Sequence, residues 1–310
     1  MRFDRHLVIG CAAALALTFA TAPAKAASQY PGHDKVVAAI KSDQADAIER
    51  LRSWIALPTI ANMGVNTPQG AEYMRQLALD AGFQHAKVVE SGGVPGVFAT
   101  LDAGAKHTLA IYFMYDVKHY DPAEWSSPPL GGKIVDRPGE GQALVGRGAV
   151  NQQGPQMALL TALHAFKDAG VRLPVNLVLV AEGEEEIGST NFSTMLADPE
   201  VKKALRSSVG VVMPSTVQSL DGSVSIDLGA KGVVELQLVS SGEKWGRGPA
   251  KDVHSSQMAR VDSPAWRLVK ALDTLVADDG FTPAIDGWFE NVRPLTSREQ
   301  ELIAASLPKD

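Results

Sequence analysis

Four glutamates fall within five residues in the segment AEGEEEIGS (181–189), directly after an apolar run. In open α/β sheets ligands bind outside the carboxyl ends of the strands, so these acids stand where a site is expected. Neighbouring Glu185 and Glu186 should point to different sides, which lets one bind a cation while the other acts as a general base. Crowded carboxylates repel, and a nearby cation relieves that repulsion. A solvated acidic turn has the same composition, so both interpretations stay open at this point.

A second acid ends the apolar run LAIYFMYDVKHY (109–120), where Asp116 stands between Tyr115 and Val117. The run predicts a buried strand with Asp116 at its carboxyl end. His119 follows three residues later and could swing toward the same site as a ligand. A lone His on a surface loop is more often simply solvated, which is the alternative for His119.

A third candidate is GRGAVNQQGP (146–155), a glycine-bracketed turn that leads into a helix. Glycine-rich turns before helices can cradle phosphate, but this one lacks the Lys-Ser/Thr pair that a phosphate loop carries. Its polar residues are the amides of Asn151, Gln152 and Gln153, where charged groups would be expected. The two glutamines also fit an ordinary first turn of a helix.

Composition limits the classes of function. The chain has 310 residues, of which 45% are hydrophobic and 21% charged, as in a soluble globular protein with one large domain or two. Its formal net charge is −6 and it has no basic stripe with interleaved aromatic residues. We therefore expect small-molecule partners and no nucleic-acid binding.

Residues 1–26 have the features of a secretory signal peptide. Arg2 and Arg5 precede an apolar stretch (7–22), and Ala24-Lys25-Ala26 is a small-x-small cleavage site. The stretch is short for a membrane anchor, which needs about 20 apolar residues. A lipoprotein signal at Cys11 would leave too few apolar residues before it. We predict a periplasmic or secreted protein that is free of the membrane after cleavage and, having lost Cys11, contains no cysteine.

Strand-like and helix-like segments alternate between residues 36 and 213, which predicts an α/β layered domain. Helices are expected at 36–57, 68–81, 155–169 and 190–206, and strands at 86–91, 96–102, 107–117, 173–183 and 209–213. Near residue 224 the pattern changes to period-two alternation, strongest at 234–238, which predicts a strand with one solvated face. A helix beginning at Pro264 should bury Leu268, Val269 and Leu272. These features predict two domains, 34–222 and 223–310.

The motifs together resemble one family. YFMYDVK, EW..PPL, GRGAVNQQGP and PVNLVLVAEGEEEIGS follow in the order and spacing of the di-zinc metallopeptidases that include glutamate carboxypeptidase, acetylornithine deacetylase and carnosine dipeptidase. This resemblance implies a zinc-peptidase-like catalytic domain (34–222, its N-terminal part) and a smaller α+β lid or dimerisation domain (223–310, incomplete). It also implies two zinc ions, and hydrolysis of dipeptides or N-acyl amino acids. A homodimer through the lid is compatible with it.

The resemblance assigns roles to individual residues. Glu185 matches the general base and Glu186 the adjacent zinc ligand. Asp116 matches an acid that orients a zinc-binding His two residues earlier, but Met114 stands at that His position. Asn151 replaces an Asp that bridges the two metals. His254, in a His-Ser pair of the lid, matches a residue that stabilises the oxyanion. The last His ligand is expected in a segment beyond Asp310, because the chain ends inside the lid.

These substitutions change the expected chemistry. Zinc in such a site takes imidazole nitrogen and carboxylate oxygen, and a catalytic ion needs about three protein ligands. Met114 offers a soft neutral thioether and Asn151 a neutral carbonyl. Two cations about 4 Å apart need an anionic bridge to offset their repulsion. The sequence therefore predicts an exported metallopeptidase-like hydrolase with a degraded metal site. A catalytically inactive homologue that binds the same ligands, and a non-functional gene fragment, are the alternatives.

Overall fold

The computed structural model describes residues 30–139, 141–215, 224, 226–227, 229, 232–233, 236–246 and 248–306. The predicted signal peptide (1–26) lies outside these residues. Proximity of Cα atoms divides the chain into two compact units, Met1–Ser225 and Ile226–Asp310. The predicted limits of a catalytic domain (34–222) and a lid (223–310) stay predictions, because compactness does not reveal what either unit does.

The first unit contains six α-helices in its described part. The helix predicted at 36–57 is two helices separated at Asp43, whose carboxylate pairs with Arg50 of the second one. The segment predicted as one helix at 190–206 is also divided, because Asp198 leaves the helical conformation. Its Oδ1 accepts the backbone N–H groups of Glu200 (2.9 Å) and Val201 (3.1 Å) and so caps a new helix. The helices are α1 (His33–Ser42), α2 (Gln44–Ile55), α3 (Thr67–Asp80), α4 (Gln153–Asp168), α5 (Phe192–Ala197) and α6 (Pro199–Arg206).

A five-stranded mixed sheet lies at the centre of this unit. Its strands are β1 (His85–Val89), β2 (Gly96–Leu101), β3 (Thr108–Met114), β6 (Asn176–Glu182) and β7 (Ser208–Val212). They lie side by side in the order β1-β2-β6-β3-β7. Strand β2 runs antiparallel to both β1 and β6, while β3 runs parallel to both β6 and β7. The predicted α/β layering is confirmed in this unit.

A separate hairpin was not expected from the sequence. Strands β4 (Lys133–Arg137) and β5 (Gly141–Val145) pair with each other and form a two-stranded sheet of their own. Most residues of β4 are exposed, whereas β5 has two exposed and three half-buried residues, and neither strand has a fully buried one. The hairpin therefore adds little apolar packing to the unit.

Buried side chains form two clusters, in which the strand residues alternate as the pleat requires. One cluster takes Val97, Ala99, Leu177 and Leu179 from the sheet and packs them against helices α2, α3 and α4. The other takes Phe98, Val178 and Val180 and packs them against α5 and α6. Because β2, β3 and β6 are buried by this packing, their carboxyl ends and the loops that follow have a rigid support.

The second unit differs from its prediction. Its described residues contain short 3₁₀ turns at Gly242–Trp245 and Ser255–Ala259 and the helices α7 (Pro264–Asp273) and α8 (Ser297–Ser306). No strand occurs among them, and residues 236–240 are irregular. Residues 234 and 235 of the predicted strand lie outside the described residues, so the α+β architecture of this unit stays a prediction. Helix α7 also buries no residue, and Val269 and Leu272 are 51% and 46% exposed. No helix in the described part of the chain has the length and apolar character needed to cross a membrane.

Candidate functional site

Parallel pairing of β3 and β6 brings the predicted acids to one edge of the sheet. The pairing sets Met114 opposite Glu182, the last residues of the two strands. Both strands therefore end at the same edge of the sheet, where Asp116 follows β3 and a 3₁₀ turn, Glu185–Ile187, follows β6. The sequence predicted this neighbourhood, and we call it the acidic edge: Asp116, Glu184, Glu185 and Glu186.

Asp116 fixes the backbone of the turn that carries the other acids. Its Oδ1 accepts the N–H of Glu185 at 3.3 Å, and its Oδ2 accepts the N–H of Glu186 at 3.0 Å. Asp116 is only 1% exposed, and this burial raises its pKa to about 7, although hydrogen bonds from backbone N–H groups oppose the shift. The negative charge of Glu186 adds to the increase in the pKa. Asp116 thus orients a loop rather than a histidine.

Glu186 is held by groups of the chain itself. Its Oε1 accepts a hydrogen bond from Nδ2 of Asn151 at 2.6 Å, and its Oε2 lies 3.6 Å from Nζ of Lys118. The side chain of Glu186 is only 7% exposed, whereas that of Lys118 is 65% exposed. Sequence reasoning did not identify Lys118. The sequence feature that could have identified Lys118 is its position two residues after Asp116.

Glu185 is the exposed member of the acidic edge. Partial removal from water raises the pKa of its carboxyl, the charge of Glu186 adds to this increase, and Lys118 opposes it. A carboxylate that faces solvent and holds a proton more readily than usual can act as a base toward a bound water molecule. The location of Glu185 fits the role that the sequence predicts.

Glu184 and Glu182 lie close by but are occupied by structural contacts. Both oxygens of Glu184 accept hydrogen bonds, from the N–H of Val94 at 3.1 Å and from the backbone and side chain of Asn191 at 3.0 Å. Glu182 Oε1 accepts the hydroxyls of Tyr112 (2.7 Å) and Ser189 (2.9 Å). These two acids fasten the loops around the site, which explains why both are buried.

The remaining predicted residues have different local environments. Met114 is 2% exposed and belongs to the buried part of β3, and His119 is exposed on the loop after Asp116. His254 lies in the second unit, where Nδ1 is 2.9 Å from Oγ of Ser256 and also accepts the N–H of Ser256. His254 therefore caps a local turn, and its proposed action on an oxyanion stays a prediction.

The donor set does not fit a two-zinc centre. Both oxygens of Asp116 accept backbone N–H groups, Asn151 presents its N–H₂ group to Glu186, and Met114 supplies a neutral thioether. Within the described ranges, no three or more His, Cys, Asp and Glu side chains are arranged to hold a metal ion. The side-chain amide of Asn151 points its N–H₂ group, not its oxygen, toward Glu186, so Asn151 cannot bridge two cations in this arrangement.

Comparison with known proteins places the chain among peptidases. The model of peptidase family M20/M25/M40 matches residues 110–304. A Cys-Gly metallodipeptidase of Candida albicans is 27% identical over 278 residues, which cover 82% of this chain and 54% of that protein. Human β-Ala-His dipeptidase is 26% identical over 275 residues, with 84% and 49% covered. The chain thus spans about half the length of the curated relatives that it matches.

Solved structures show the same fold. An M20 family metallo-carboxypeptidase from Sulfolobus solfataricus matches with a TM-score of 0.69 at 30% identity, over 85% of this chain and 57% of that chain. Human carnosine dipeptidase 1 matches with a TM-score of 0.57 at 22% identity, over 89% of this chain and 59% of that chain, and supports the fold alone. Because the family model covers more than half of the chain, the chain belongs to peptidase family M20/M25/M40.

Proposed function

We propose that the chain is a dipeptidase-like hydrolase that acts on the amide bond of dipeptides or N-acyl amino acids at the acidic edge. The observation that carries this proposal is the placement of Glu185. It is solvent-exposed, while Asp116 beside it is buried, the side chain of Glu186 is only 7% exposed, and both carboxylates accept hydrogen bonds. The relatives named as a Cys-Gly metallodipeptidase and a β-Ala-His dipeptidase support the class of substrate.

Glu185 is the proton carrier in this proposal. Its carboxylate takes a proton from water while the water oxygen forms a bond to the amide carbon. The proton then passes to the amide nitrogen as the carbon–nitrogen bond breaks, so that Glu185 ends the cycle ionised. The raised pKa of Glu185 favours both transfers because it brings the acid closer to neutral pH.

The proton transfers in this proposal are assigned to groups of the protein and not to a zinc ion. The relatives are named as metallopeptidases, and the sequence resemblance implies two zinc ions. The positions of Met114 and Asn151 do not supply the required donors, so the proposal is written on the groups of the chain alone.

A second candidate function is binding of the same ligands without cleavage. The hydrogen bond from Asn151 to Glu186 favours this function, because it occupies the carboxylate that the family resemblance assigns to a metal ion. A site without an electrophile for the carbonyl can still recognise a dipeptide through its charged ends.

The same proposal includes roles for the second unit, for His254 and for the signal peptide. The second unit would act as a lid or dimerisation domain, with His254 steadying the oxyanion and a second copy of the chain as partner. Export to the periplasm or the medium would follow from cleavage after Ala26. These roles rest on the sequence motifs and the family relationship.

Turnover of a dipeptide panel by the purified chain separates the two functions. The panel contains Cys-Gly, β-Ala-His and an N-acetyl amino acid, and product is measured by amine release. Hydrolysis should fall at least about 100-fold in Glu185→Gln, the size typical for loss of a general base. Glu243→Gln, an exposed acid of the second unit, should retain activity. Calorimetric binding without turnover would favour the second function, and neither binding nor turnover would contradict both.

A further inference from the structure

Burial of Glu186 raises a question of charge compensation. Its side chain is 7% exposed, and a carboxylate so far removed from water is costly unless hydrogen bonds or a cation stabilise it. In a metal centre a divalent ion provides that stabilisation. In this chain two groups of the protein reach the carboxylate.

Asn151 makes the stronger of the two interactions with Glu186. Its Nδ2 donates to Oε1 of Glu186 at 2.6 Å, and the two residues lie 35 positions apart in the sequence. A short hydrogen bond to a charged acceptor is about twice as strong as one between neutral groups. The bond also ties the turn before α4 to the turn after β6, so it positions Glu186 as well as stabilising its charge.

Lys118 supplies the opposite charge. Its Nζ lies 3.6 Å from Oε2 of Glu186, the oxygen that Asn151 does not contact. The exposed lysine makes this ion pair weak, since water screens it. The two oxygens of Glu186 are nevertheless both engaged, one by an amide and one by an ammonium group.

We propose that the acidic edge is stabilised by Asn151 and Lys118 in place of divalent cations, with Asn151 as the residue that positions Glu186. The same proposal explains why an amide stands where the family resemblance implies an anionic bridge. An Asp at position 151 would set two carboxylates against each other and would require a cation or a proton between them. The proposal does not depend on whether the chain hydrolyses or only binds its ligand.

Thermal unfolding of the full chain tests this inference. The wild-type midpoint should shift by less than about 1 °C between EDTA and micromolar zinc, and equilibrium dialysis should find less than one tightly bound zinc per chain. Asn151→Asp should lower the midpoint in EDTA by about 5 °C. Zinc should recover at least part of that loss.

Two further variants keep the result interpretable. Asn291→Asp makes the same change of charge at an exposed position of the second unit and should leave the midpoint unchanged. Lys118→Ala should cost less than Asn151→Asp, because its ion pair is largely solvated. A wild-type midpoint that falls by several degrees in EDTA and returns with zinc would overturn the proposal, even if Asn151→Asp fails to fold. An Asn151→Asp midpoint equal to that of the wild type in EDTA would also overturn it.

Discussion

Oδ2 of Asp116 accepts the backbone N–H of Glu186 at 3.0 Å, across 70 positions of sequence. This bond joins the loop after β3 to the turn after β6, and the bond from Glu185 to Oδ1 repeats the connection. The acid at the end of the first strand therefore determines where the acids after the second strand lie. Both strands belong to the buried sheet, so the position is rigid.

Replacement of Asp116 should destabilise the chain through these two bonds. Asp116→Ala leaves two partly buried N–H groups without an acceptor, and we expect a loss of about 2 kcal/mol in the free energy of unfolding. Urea denaturation measures it. Asp136→Ala in the exposed hairpin is the matched control and should change stability by less than about 0.5 kcal/mol. Equal stability of the two variants would mean that Asp116 does not hold the turn.

The pKa of Asp116 predicts a dependence of stability on pH. Burial raises this pKa from 3.8 to about 7 in the folded chain. Between these values the unfolded chain releases the proton before the folded chain does, so stability falls as the pH rises. A shift of this size corresponds to a loss of about 4 kcal/mol as an upper bound.

Denaturation in urea at pH 5 and pH 8, in chelator, measures this dependence. Other carboxyl groups titrate as well, so the informative quantity is the difference between the wild type and Asp116→Asn. The wild type should lose more stability than the variant over this range, because Asn has no proton to release. A parallel change in both proteins would show that the pKa of Asp116 is close to its ordinary value.

Sequence patterns predicted the parts of the site that directly follow buried strands. A continuous apolar run is expected to be a buried strand, and parallel strands end at a common edge, so Asp116 and the glutamates after β6 could be placed together in advance. The orientation of Asn151 could not be predicted, because an amide can present either its oxygen or its nitrogen. Lys118 was missed for a similar reason, since a long side chain reaches many positions.

Other elements depend on interactions that a periodic pattern does not report. The split at Asp43 interrupts the helical pattern at a single residue, and the hairpin of β4 and β5 has too few buried residues to give a clear pattern. Alternation at 234–238 indicates a strand, and a strand also needs a backbone partner, which alternation alone does not identify. Residues 234 and 235 lie outside the described part of the second unit, which contains no strand, so this strand stays a prediction.

Glu184 and Glu185 are adjacent but should respond differently to mutation. Glu184→Ala removes the acceptor for Val94 and Asn191 in a buried setting and should cost about 2 kcal/mol or more. Glu185→Ala removes an exposed side chain and should change stability by less than about 0.5 kcal/mol. Urea denaturation measures the free energy of unfolding of both variants, and each variant serves as the control for the other. A larger loss for Glu185→Ala would contradict the assignment of structural and exposed roles.

Gly183 leaves room for the ring of Tyr115, the residue that precedes Asp116. A Cβ atom at this position would lie only 2.6 Å from Cε2 and Oη of Tyr115, whose ring is fully buried. Gly183→Ala should therefore displace Tyr115 and with it Asp116, at a cost of about 1–3 kcal/mol. Gly210→Ala in β7 is the matched control, because a Cβ atom there meets only Leu109 at 3.9 Å. Thermal unfolding compares the two, and an unchanged midpoint for Gly183→Ala would show that the Tyr115 ring moves aside without disturbing the acidic edge.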